Sequence, residues 1–311
     1  MKINLKTVVT SVITIAVVLG SVFAINRFSS KDSVETTTLH KAETTSEAAT
    51  NVEINWNGDE FKALDNDGLL NILLIGQDRR EGEDRQRSDA MILCSFNPET
   101  NRMSAISFLR DLYVQIPGYD DNRLNAAYAF GGFELIKETF NHNFGITVDG
   151  CLESDFEGFE KIIDAVGGVE IELTSEEAEI VGDGASQGTC NLNGKQALTY
   201  ARIRKIDSDF QRTDRQRKIL NAVFEKAKSY QLMELAELFS EILPMMSTDM
   251  TDEEIMTFAL TLASSLAEMK IHSFCIPAEG TYKSATIKDM AVLIPDLYQI
   301  KKLIFEEYLP I

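Results

Sequence analysis

The chain has 311 residues, enough for one large domain or two small ones, and 44% of them are apolar, enough to bury a sizeable core. Its formal net charge of −19 argues against a nucleic-acid-binding protein, because the average field around the molecule does not attract phosphate. Local clusters of positive charge within this acidic chain are therefore the most informative about function.

The N-terminal part of the chain predicts a membrane anchor. Residues 8–25 form an almost unbroken apolar run, preceded by Lys2 and Lys6. The run is long enough to span a bilayer, and no clean small-x-small cleavage site follows it, so an uncleaved anchor is favoured over a cleavable signal peptide. The two lysines predict that residues 1–7 are cytoplasmic and that the rest of the chain lies outside a single-pass anchor in the cell membrane. Residues 26–68 are rich in Ser, Thr, Glu and Ala, and they predict a flexible extracytoplasmic linker.

The remaining residues, 69–311, predict one α/β domain in which strands alternate with helices. Residues 176–184 are interpreted as an acidic loop. In chain order, the pattern predicts strands over 70–76, 90–96 and 103–109, helices over 133–141 and 156–166, a strand over 169–173, a short helix beginning at Asn193, amphipathic helices over 212–228, 232–243 and 251–267, a strand over 271–277 and a helix near 296–307.

The first three predicted strands bring charged residues to one edge of the sheet. In an up-down-up meander, Asp78 follows strand one, Asp89 precedes strand two and Arg110 follows strand three, all at the same edge. The loop between Asp78 and Asp89 also carries Arg79 and Arg87. Two carboxylates beside arginines suit a hard cation such as Mg²⁺, which takes one or two carboxylates and completes its shell with water and phosphate oxygens. Solvated surface ion pairs are the alternative reading, although they do not explain Arg110 at the far end of strand three.

Arginine is also concentrated in a second window, residues 201–217, which holds six basic and three acidic groups. Arg212, Arg215 and Gln216 have the spacing i, i+3 and i+4 of one helix face, and Arg202 and Arg204 lie just before them. The guanidinium group grips phosphate or carboxylate with two parallel hydrogen bonds. This window therefore predicts an anion site, with pyrophosphate as a good candidate ligand.

Several motifs in the same order resemble the LytR-CpsA-Psr family over about residues 69–311. They are NILLIGQDR (71–79), RSD (87–89), SFLRD (107–111), IPGY (116–119), RLNAAY (123–128), LNGKQALTYARIR (192–204), DFQRTDRQ (209–216) and IPAEGTY (276–282). Two departures occur, Leu109 where the family usually has Pro and Arg123 where it often has Lys, and both keep the charge of the motif. Together the motifs make a specific match, which none of them would make alone.

The resemblance implies a three-layer αβα domain with a central mixed sheet and a lipid-binding groove. It also implies transfer of a phospho-glycopolymer, such as teichoic acid or capsule, from a polyprenyl-pyrophosphate lipid to peptidoglycan. Asp78 and Asp89 match the metal-associated acids, for Mg²⁺ with Mn²⁺ possible. The residues that match the pyrophosphate-binding set are Arg87, Arg110, Arg202, Arg204, Arg212 and Gln216, and we add Arg79, Arg123 and Arg215 to the predicted site.

In this interpretation an acceptor hydroxyl attacks the sugar-linked phosphorus, while the metal and the arginines neutralise the charge that develops on oxygen. Asp89, Arg110, Arg202 and Arg204 are the predicted catalytic residues. The group that removes the hydroxyl proton stays open, with Asp89 and Asp111 as candidates. Two other functions stay open as well: a pyrophosphohydrolase that uses water as the acceptor, and a non-catalytic envelope regulator.

Other signals in the sequence are weaker. Residues 184–188 match G-x-S-x-G, but no buried strand is predicted before them, so they are interpreted as a glycine-rich loop. The four cysteines lack metal-site spacing. Cys94 and Cys275 are expected to be buried thiols, whereas a disulfide between Cys151 and Cys190 stays open.

Overall fold

The structure, a computed structural model, describes residues 54, 56–61, 68–77, 88–203 and 208–311. Its centre is a six-stranded mixed sheet, which confirms the predicted mixed α/β class. The strands are β1 (Leu70–Gln77), β2 (Ser88–Asn97), β3 (Arg102–Phe108), β4 (Tyr113–Val114), β5 (Asn122–Arg123), β6 (Gly150–Ser154), β7 (Val169–Leu173), β8 (Gly188–Leu192), β9 (Ser247–Thr248), β10 (Lys270–Ile276), β11 (Tyr282–Ile287) and β12 (Met290–Pro295). The α-helices are α1 (Leu124–Phe144), α2 (Phe156–Ala165), α3 (Ser175–Val181), α4 (Gly194–Ala201), α5 (Asp209–Ala227), α6 (Leu232–Ile242), α7 (Asp252–Ser265) and α8 (Leu297–Leu303).

The sheet has the strand order β10-β3-β2-β1-β6-β9. The β1–β2 and β2–β3 pairs are antiparallel, which confirms the predicted meander. Strands β6 and β10, which flank this meander, run parallel to β1 and β3, respectively. Consequently the end of β1, the start of β2, and the ends of β3 and β6 all lie at one edge of the sheet. Asp89 and Arg110 therefore meet where the sequence predicts.

Alternate residues of the central strands face two different environments, because successive side chains point to opposite faces of a sheet. In β1, Leu73 and Ile75 belong to the main core, where α1 and α8 pack on the sheet. Ile72 and Leu74 point to the other face and line a cavity beneath α5, α6 and α7. Helices thus cover both faces, and only one face is filled entirely by core side chains.

A smaller hydrophobic cluster lies beside the sheet. It joins the β7–β8 hairpin to α2, α3, α4 and the flank of α5. At its contact with α2, Gly194 is so close to the backbone that an added Cβ would lie 2.1 Å from Glu160 O, so only glycine fits there. Packing around α4 therefore fixes the position of the following residues, which include Arg202.

Several predicted elements need correction. The predicted helix over 133–141 is present as the second segment of α1, which follows a break at Gly132 (φ 64°, ψ −146°), whereas the first segment, which begins at Leu124, was not predicted. Residues 175–181 form α3 rather than a loop, because Thr174 and Glu177 make a capping box at its start. The sequence analysis did not predict β6, β8 or the β11–β12 hairpin. Residues 184–187 do form a loop, which follows α3 and leads into β8 at Gly188, so the nucleophile-elbow reading has no structural support.

Two aromatic residues before the predicted domain boundary at residue 69 pack on the domain. Trp56 stacks on Tyr113 with ring centroids 6.3 Å apart, and Phe61 packs against Tyr298. Both belong to the predicted flexible linker, residues 26–68, whose bounds stay a prediction. No helix within the described ranges is both long and apolar enough to cross a membrane. The predicted anchor, residues 8–25, lies outside those ranges.

All four cysteines are free thiols. Cys151 is buried in the main core and Cys190 packs on the smaller cluster, so the disulfide that the sequence left open is not formed. Cys94 is buried as expected, whereas Cys275 is only partly buried.

Candidate functional site

A cavity of about 450 Å³ lies between the sheet and the helices α2, α5, α6 and α7. Most of its lining is apolar, including Ile72, Leu74 and Ile92 from the sheet. Its polar lining residues, which include Asp89 and Gln77, come from the sheet edge and from the helices that begin beside it. The cavity therefore suits an amphiphile, with an apolar tail inside and a polar head at the edge.

One face of α5 shows the same gradient along its axis. Arg212 and Gln216 stand one turn apart near the N-terminus of the helix, and both line the cavity. Ile219, Val223 and Ala227 continue the lining toward the C-terminus. The stretch from residue 212 to residue 227 is about 22 Å long, at 1.5 Å per residue. The helix thus offers charge at one end of the cavity and apolar surface along the rest.

Asp89 is the centre of a charged cluster at the edge of the sheet. Its carboxylate Oδ1 accepts a hydrogen bond from Arg110 Nη1 at 2.6 Å. Its backbone oxygen accepts one from Arg212 Nη2 at 3.4 Å. Arg212 also donates to Asp209 at 2.9 Å. Two predicted arginines, from β3 and α5, therefore converge on one predicted carboxylate although more than a hundred residues separate them.

The cluster continues away from the cavity. Arg110 Nε lies 3.7 Å from Asp111 Oδ2, and Arg123 Nη1 donates to Asp111 Oδ1 at 2.9 Å. Burial would lower the pKa of Arg110, but its hydrogen bond to Asp89 and the nearby negative charges outweigh burial and raise that pKa. The guanidinium group of Arg110 therefore stays charged while it holds two carboxylates.

Arg202 reaches the cavity from the C-terminal end of α4. Its guanidinium carbon lies 4.1 Å from the centre of the Phe156 ring, within cation–π distance. Phe156 opens α2, and Asp155 caps that helix by accepting a hydrogen bond from Gly158 N. The position of Arg202 thus depends on α4 behind it and on an aromatic face beneath it.

Gln216 has an incompletely satisfied side chain. Its Oε1 is buried and has no hydrogen-bond partner among the described residues. A 180° rotation of the side-chain amide would place N–H donors at the same point. Either orientation leaves a polar atom beside the cavity for a ligand.

The structure does not bring Arg215 to the cavity. Arg215 Nε donates to Glu177 at 2.8 Å and Nη1 donates to Ile203 O at 3.3 Å, both inside the smaller cluster. Its guanidinium carbon lies 5.8 Å from the centre of the Tyr200 ring. Helical spacing placed this residue near Arg212, but it lies on the flank of α5 that faces α3. A role for Arg215 in pyrophosphate binding stays a prediction, whereas its contacts indicate a structural role.

We expect Arg215→Met to lower the free energy of unfolding by about 3–5 kcal/mol, because Glu177 would become a buried charge without its partner. Burial would raise the pKa of Glu177, but hydrogen bonds from Thr174 and Arg215 outweigh it and lower that pKa. This contribution to stability is present above the unfolded-state pKa and is lost as the pH falls through the folded-state pKa.

Urea unfolding at neutral and acidic pH measures both effects, and the acid-dependent loss should shrink in the variant. Lys195→Met is the matched control, because the Lys195–Asp183 pair is exposed and should contribute less than about 1 kcal/mol. Unchanged stability of Arg215→Met together with weakened ligand binding would contradict the structural role.

Four predicted site residues lie outside the described ranges, namely Asp78, Arg79, Arg87 and Arg204. Sequence reasoning missed Gln77, Ser154 and Asp155, which also line the polar end of the cavity. Ser154 is the last residue of β6 and Asp155 comes directly after it. Because Ser154 pairs with Gly76 at the end of β1, both residues lie at this edge of the sheet. Gln77 could have been predicted, because it directly precedes the predicted metal ligand Asp78 in the sequence.

The residues present fit a magnesium ion that is bound partly by its substrate. The described residues contain no group of three or more His, Cys, Asp or Glu side chains that could enclose a metal. Asp89 is partly exposed at the polar end of the cavity, where a cation has access. Because Mg²⁺ needs only one or two protein carboxylates when phosphate oxygens complete its shell, this donor set is compatible with it.

Comparison with known proteins agrees with this geometry. The model of the LytR_cpsA_psr family matches residues 23–304. The polyisoprenyl-teichoic acid–peptidoglycan teichoic acid transferase TagU of Oceanobacillus iheyensis is 36% identical over 219 residues, which is 68% of this chain and 67% of that protein. The regulatory protein MsrR of Staphylococcus aureus is 30% identical over 222 residues, 70% of this chain and 67% of that protein.

Two solved structures show the same fold. The crystal structure of B. subtilis TagT has a TM-score of 0.63 and 26% identity, covering 80% of this chain and 95% of that chain. The structure of TagT bound to LIIa-WTA has a TM-score of 0.64 and 25% identity, covering 88% of this chain and 100% of that chain. The family match spans most of the sequence, and the sheet, the cavity and the charged edge lie within it. The chain therefore belongs to the LytR-CpsA-Psr family.

Proposed function

We propose that the protein is a membrane-anchored, Mg²⁺-dependent phosphotransferase. It moves a phospho-glycopolymer (teichoic acid, capsule or a similar polymer) from polyprenyl pyrophosphate to peptidoglycan and releases polyprenyl phosphate. The observation that carries the proposal is the junction between a long apolar cavity and an arginine-rich polar end. The names of the relatives support the class of reaction, because TagU is a teichoic acid transferase.

The cavity and its polar end divide the donor between them. The polyprenyl tail lies along the apolar face of α5 and against the cavity-facing residues of β1 and β2. The pyrophosphate lies at the sheet edge, where Arg212 and Arg202 belong to the lining of the cavity. Arg110 donates a hydrogen bond to the Asp89 carboxylate at the same edge. Arginine suits this role because its planar fork can span two phosphate oxygens at once.

In the reaction, an acceptor hydroxyl oxygen forms a bond to the sugar-linked phosphorus. The bond from that phosphorus to the bridging oxygen breaks, and polyprenyl phosphate leaves with the electron pair. The hydroxyl proton passes to a base at the edge, for which Asp89 and Asp111 stay the candidates. Arg110 and Arg212 stabilise the negative charge on the phosphoryl oxygens, as preorganised donors do in other transfer reactions. Bound at Asp89, Mg²⁺ would supply further neutralisation of charge on those oxygens.

The test is transfer itself. Purified protein is incubated with a labelled lipid-linked glycopolymer, peptidoglycan and Mg²⁺, and the wall fragments are then analysed by mass spectrometry. We expect a phosphodiester-linked polymer on a wall sugar. Release of free phospho-glycopolymer without any attachment would identify a pyrophosphohydrolase. Binding of the lipid without turnover would identify a non-catalytic regulator.

We expect Arg202→Ala to weaken binding of a lipid pyrophosphate about ten- to hundredfold, because a charge-assisted hydrogen bond contributes about 1.5–3 kcal/mol. The thermal midpoint should change little, since Arg202 is exposed. Titration calorimetry with a short-chain analogue measures the first quantity and a melting curve the second. Equal affinity in the variant and the parent protein would remove Arg202 from the pyrophosphate site, and so would wholesale unfolding. The Arg204→Ala variant, measured in the same way, tests the predicted role of Arg204.

The proposed location is the cell membrane, with the catalytic domain outside, and it depends on the apolar run at residues 8–25. Deleting residues 1–26 is expected to move the protein from the membrane fraction to the soluble fraction with its hydrolysis of short-chain lipid analogues retained. The domain core described above contains none of the deleted residues. Precipitation of the shortened protein, or a requirement for detergent to fold it, would contradict the anchor prediction.

A further inference from the structure

An exposed aromatic pair lies outside the donor site. Tyr119, in the loop between β4 and β5, and Phe130, in α1, stack with ring centroids 5.1 Å apart and planes inclined by 23°. Tyr119 is 52% exposed and Phe130 40%, although both are large and apolar. Because the rings face each other, each still has an outer face that solvent can reach. Tyr119 and Phe130 together are named the aromatic platform below.

The aromatic platform is tied to the charged edge of the sheet. Asn125 N, in the first turn of α1, donates to Arg110 O at 3.3 Å. Phe130 follows five residues later, about 8 Å further along the helix axis at 1.5 Å per residue. The ion pair between Arg123 and Asp111 joins the end of the Tyr119 loop to the same edge. The loop and the helix that carry the platform are thus both joined to residues of this edge by polar contacts.

The platform is also on the opposite side of the sheet from the donor cavity. Helix α1 packs on the face that forms the main core, whereas α5, α6 and α7 cover the cavity on the other face. A ligand on the aromatic platform therefore does not compete with the polyprenyl tail for space. Both ligands reach the edge that holds Asp89 and Arg110.

The charges around the platform select against an anionic ligand. Asp120 and Asp121 follow Tyr119 in the loop, and Lys288 lies 3.3 Å from Asp120. Burial is the largest cause of the raised pKa of Asp121, and the charge of Asp120 adds to it against the opposing charges of Lys288 and His142. Such a surface repels the phosphates of a glycopolymer. It accepts hydroxyl and amide donors from an uncharged sugar, while the negative faces of the rings attract its C–H groups.

We propose that the aromatic platform binds the sugar rings of the acceptor glycan strand and directs its hydroxyl to the Asp89–Arg110 edge. This inference rests on the proposed transfer reaction. Donor and acceptor then arrive from opposite faces of the sheet. Their meeting at the edge matches the need of phosphoryl transfer for attacking and leaving oxygens that are roughly in line.

The first test measures glycan binding without donor or metal. Chitotetraose, an uncharged chain of four N-acetylglucosamine units, is titrated into the full-length protein in detergent and followed by saturation-transfer NMR. Tyr119→Ala and Phe130→Ala should each weaken binding about three- to tenfold, the loss expected for one aromatic contact. Tyr119→Trp should restore binding. Met233→Ala, at a position of 53% exposure on α6, is the matched control and should have no effect.

The second test separates acceptor from donor. In the transfer assay, the alanine variants should raise KM for the glycan acceptor and leave both KM for the lipid donor and the rate of donor hydrolysis unchanged. A raised donor KM would overturn the inference, because the platform would then hold the donor's own glycan. Unchanged acceptor KM in a folded double variant would overturn it too.

The two tests also distinguish this inference from the proposed function. If the parent protein transfers no polymer but its chitotetraose binding depends on Tyr119, the transfer function fails and the glycan site stands. If the parent protein transfers polymer but binds no chitotetraose, the transfer function stands and the inference is overturned.

Discussion

Replacing Asp89 with alanine is expected to remove most Mg²⁺-stimulated turnover while the domain stays folded. Of the two predicted metal ligands, Asp89 is the one that lies within the described residues. Its carboxylate also orients Arg110 through a hydrogen bond of 2.6 Å. Its loss therefore affects two contributions to charge stabilisation at once. We expect kcat to fall roughly a hundred- to thousandfold, the range seen when one preorganised electrostatic group is removed. Stability should change by about 1 kcal/mol or less, because the pair is partly exposed.

The measurement is the rate of polyprenyl phosphate release as a function of Mg²⁺ concentration, beside a melting curve. Asp89→Asn keeps the shape but not the charge, so it should require more Mg²⁺ for half-maximal activity. Asp183→Ala removes an exposed acid that does not line the cavity, and it serves as the matched control. The metal assignment does not survive if Asp89→Ala keeps full metal stimulation. Asp78→Ala is expected to act in the same direction as Asp89→Ala.

The second large effect is expected for Arg110→Lys. Lysine keeps the charge but offers one compact donor centre, so it loses a directed hydrogen bond that the guanidinium fork makes. A charge-assisted bond contributes about 1.5–3 kcal/mol, which corresponds to roughly ten- to hundredfold in rate if it forms mainly in the transition state. Arg110 already contacts two carboxylates, and a lysine could not hold both and reach a phosphate.

Arg102→Lys is the matched control for this variant, because Arg102 lies at the other end of β3 and is exposed. We would compare kcat/KM for the two lysine variants under identical conditions. Similar values would reduce Arg110 to a surface charge. A melting curve for each variant shows whether loss of activity follows from loss of fold.

The sequence predicted the part of the site that depends on strand order. Short apolar strands joined by a turn can pair with their neighbours as a meander, and this places Asp89 and Arg110 at one edge. The structure confirms that meeting with a direct hydrogen bond. The amphipathic helices were also predictable, because their apolar period extends over several turns. Arg212 and Gln216 follow from that period alone.

The parts that were missed depend on contacts between distant segments. Strand β6 has only five residues, and it pairs in parallel with β1. The paired residues Ile72 and Gly150 are 78 positions apart in the sequence, so no local turn marks this strand. In the β11–β12 hairpin the turn residues are Lys288 and Asp289, both with positive φ. Asn-Gly or Asp-Gly is the usual signal for such a turn, and it is absent here.

The direction of Arg215 could not be predicted for a different reason. Residues three apart on a helix are neighbours, but they point to adjacent flanks rather than to the same point. The cavity lies beside one flank of α5 and the smaller cluster beside the other. Arg215 binds Glu177 because α3 lies beside its flank of α5, and the position of α3 is set by tertiary packing rather than by helical spacing.

The alternation along β1 has a consequence for how this enzyme can vary. Leu73 and Ile75 maintain the core, so their substitution is constrained by stability. Ile72 and Leu74 face the space proposed for the lipid tail, where added volume shortens the space available to the ligand. Ile75 also lines the cavity and Ile72 also packs in a core cluster, so the two sets of requirements separate most clearly between Leu73, which only fills the core, and Leu74, which is partly buried and lines the cavity. We expect that preference for lipids of different length can diverge through Leu74 while Leu73 keeps the domain folded.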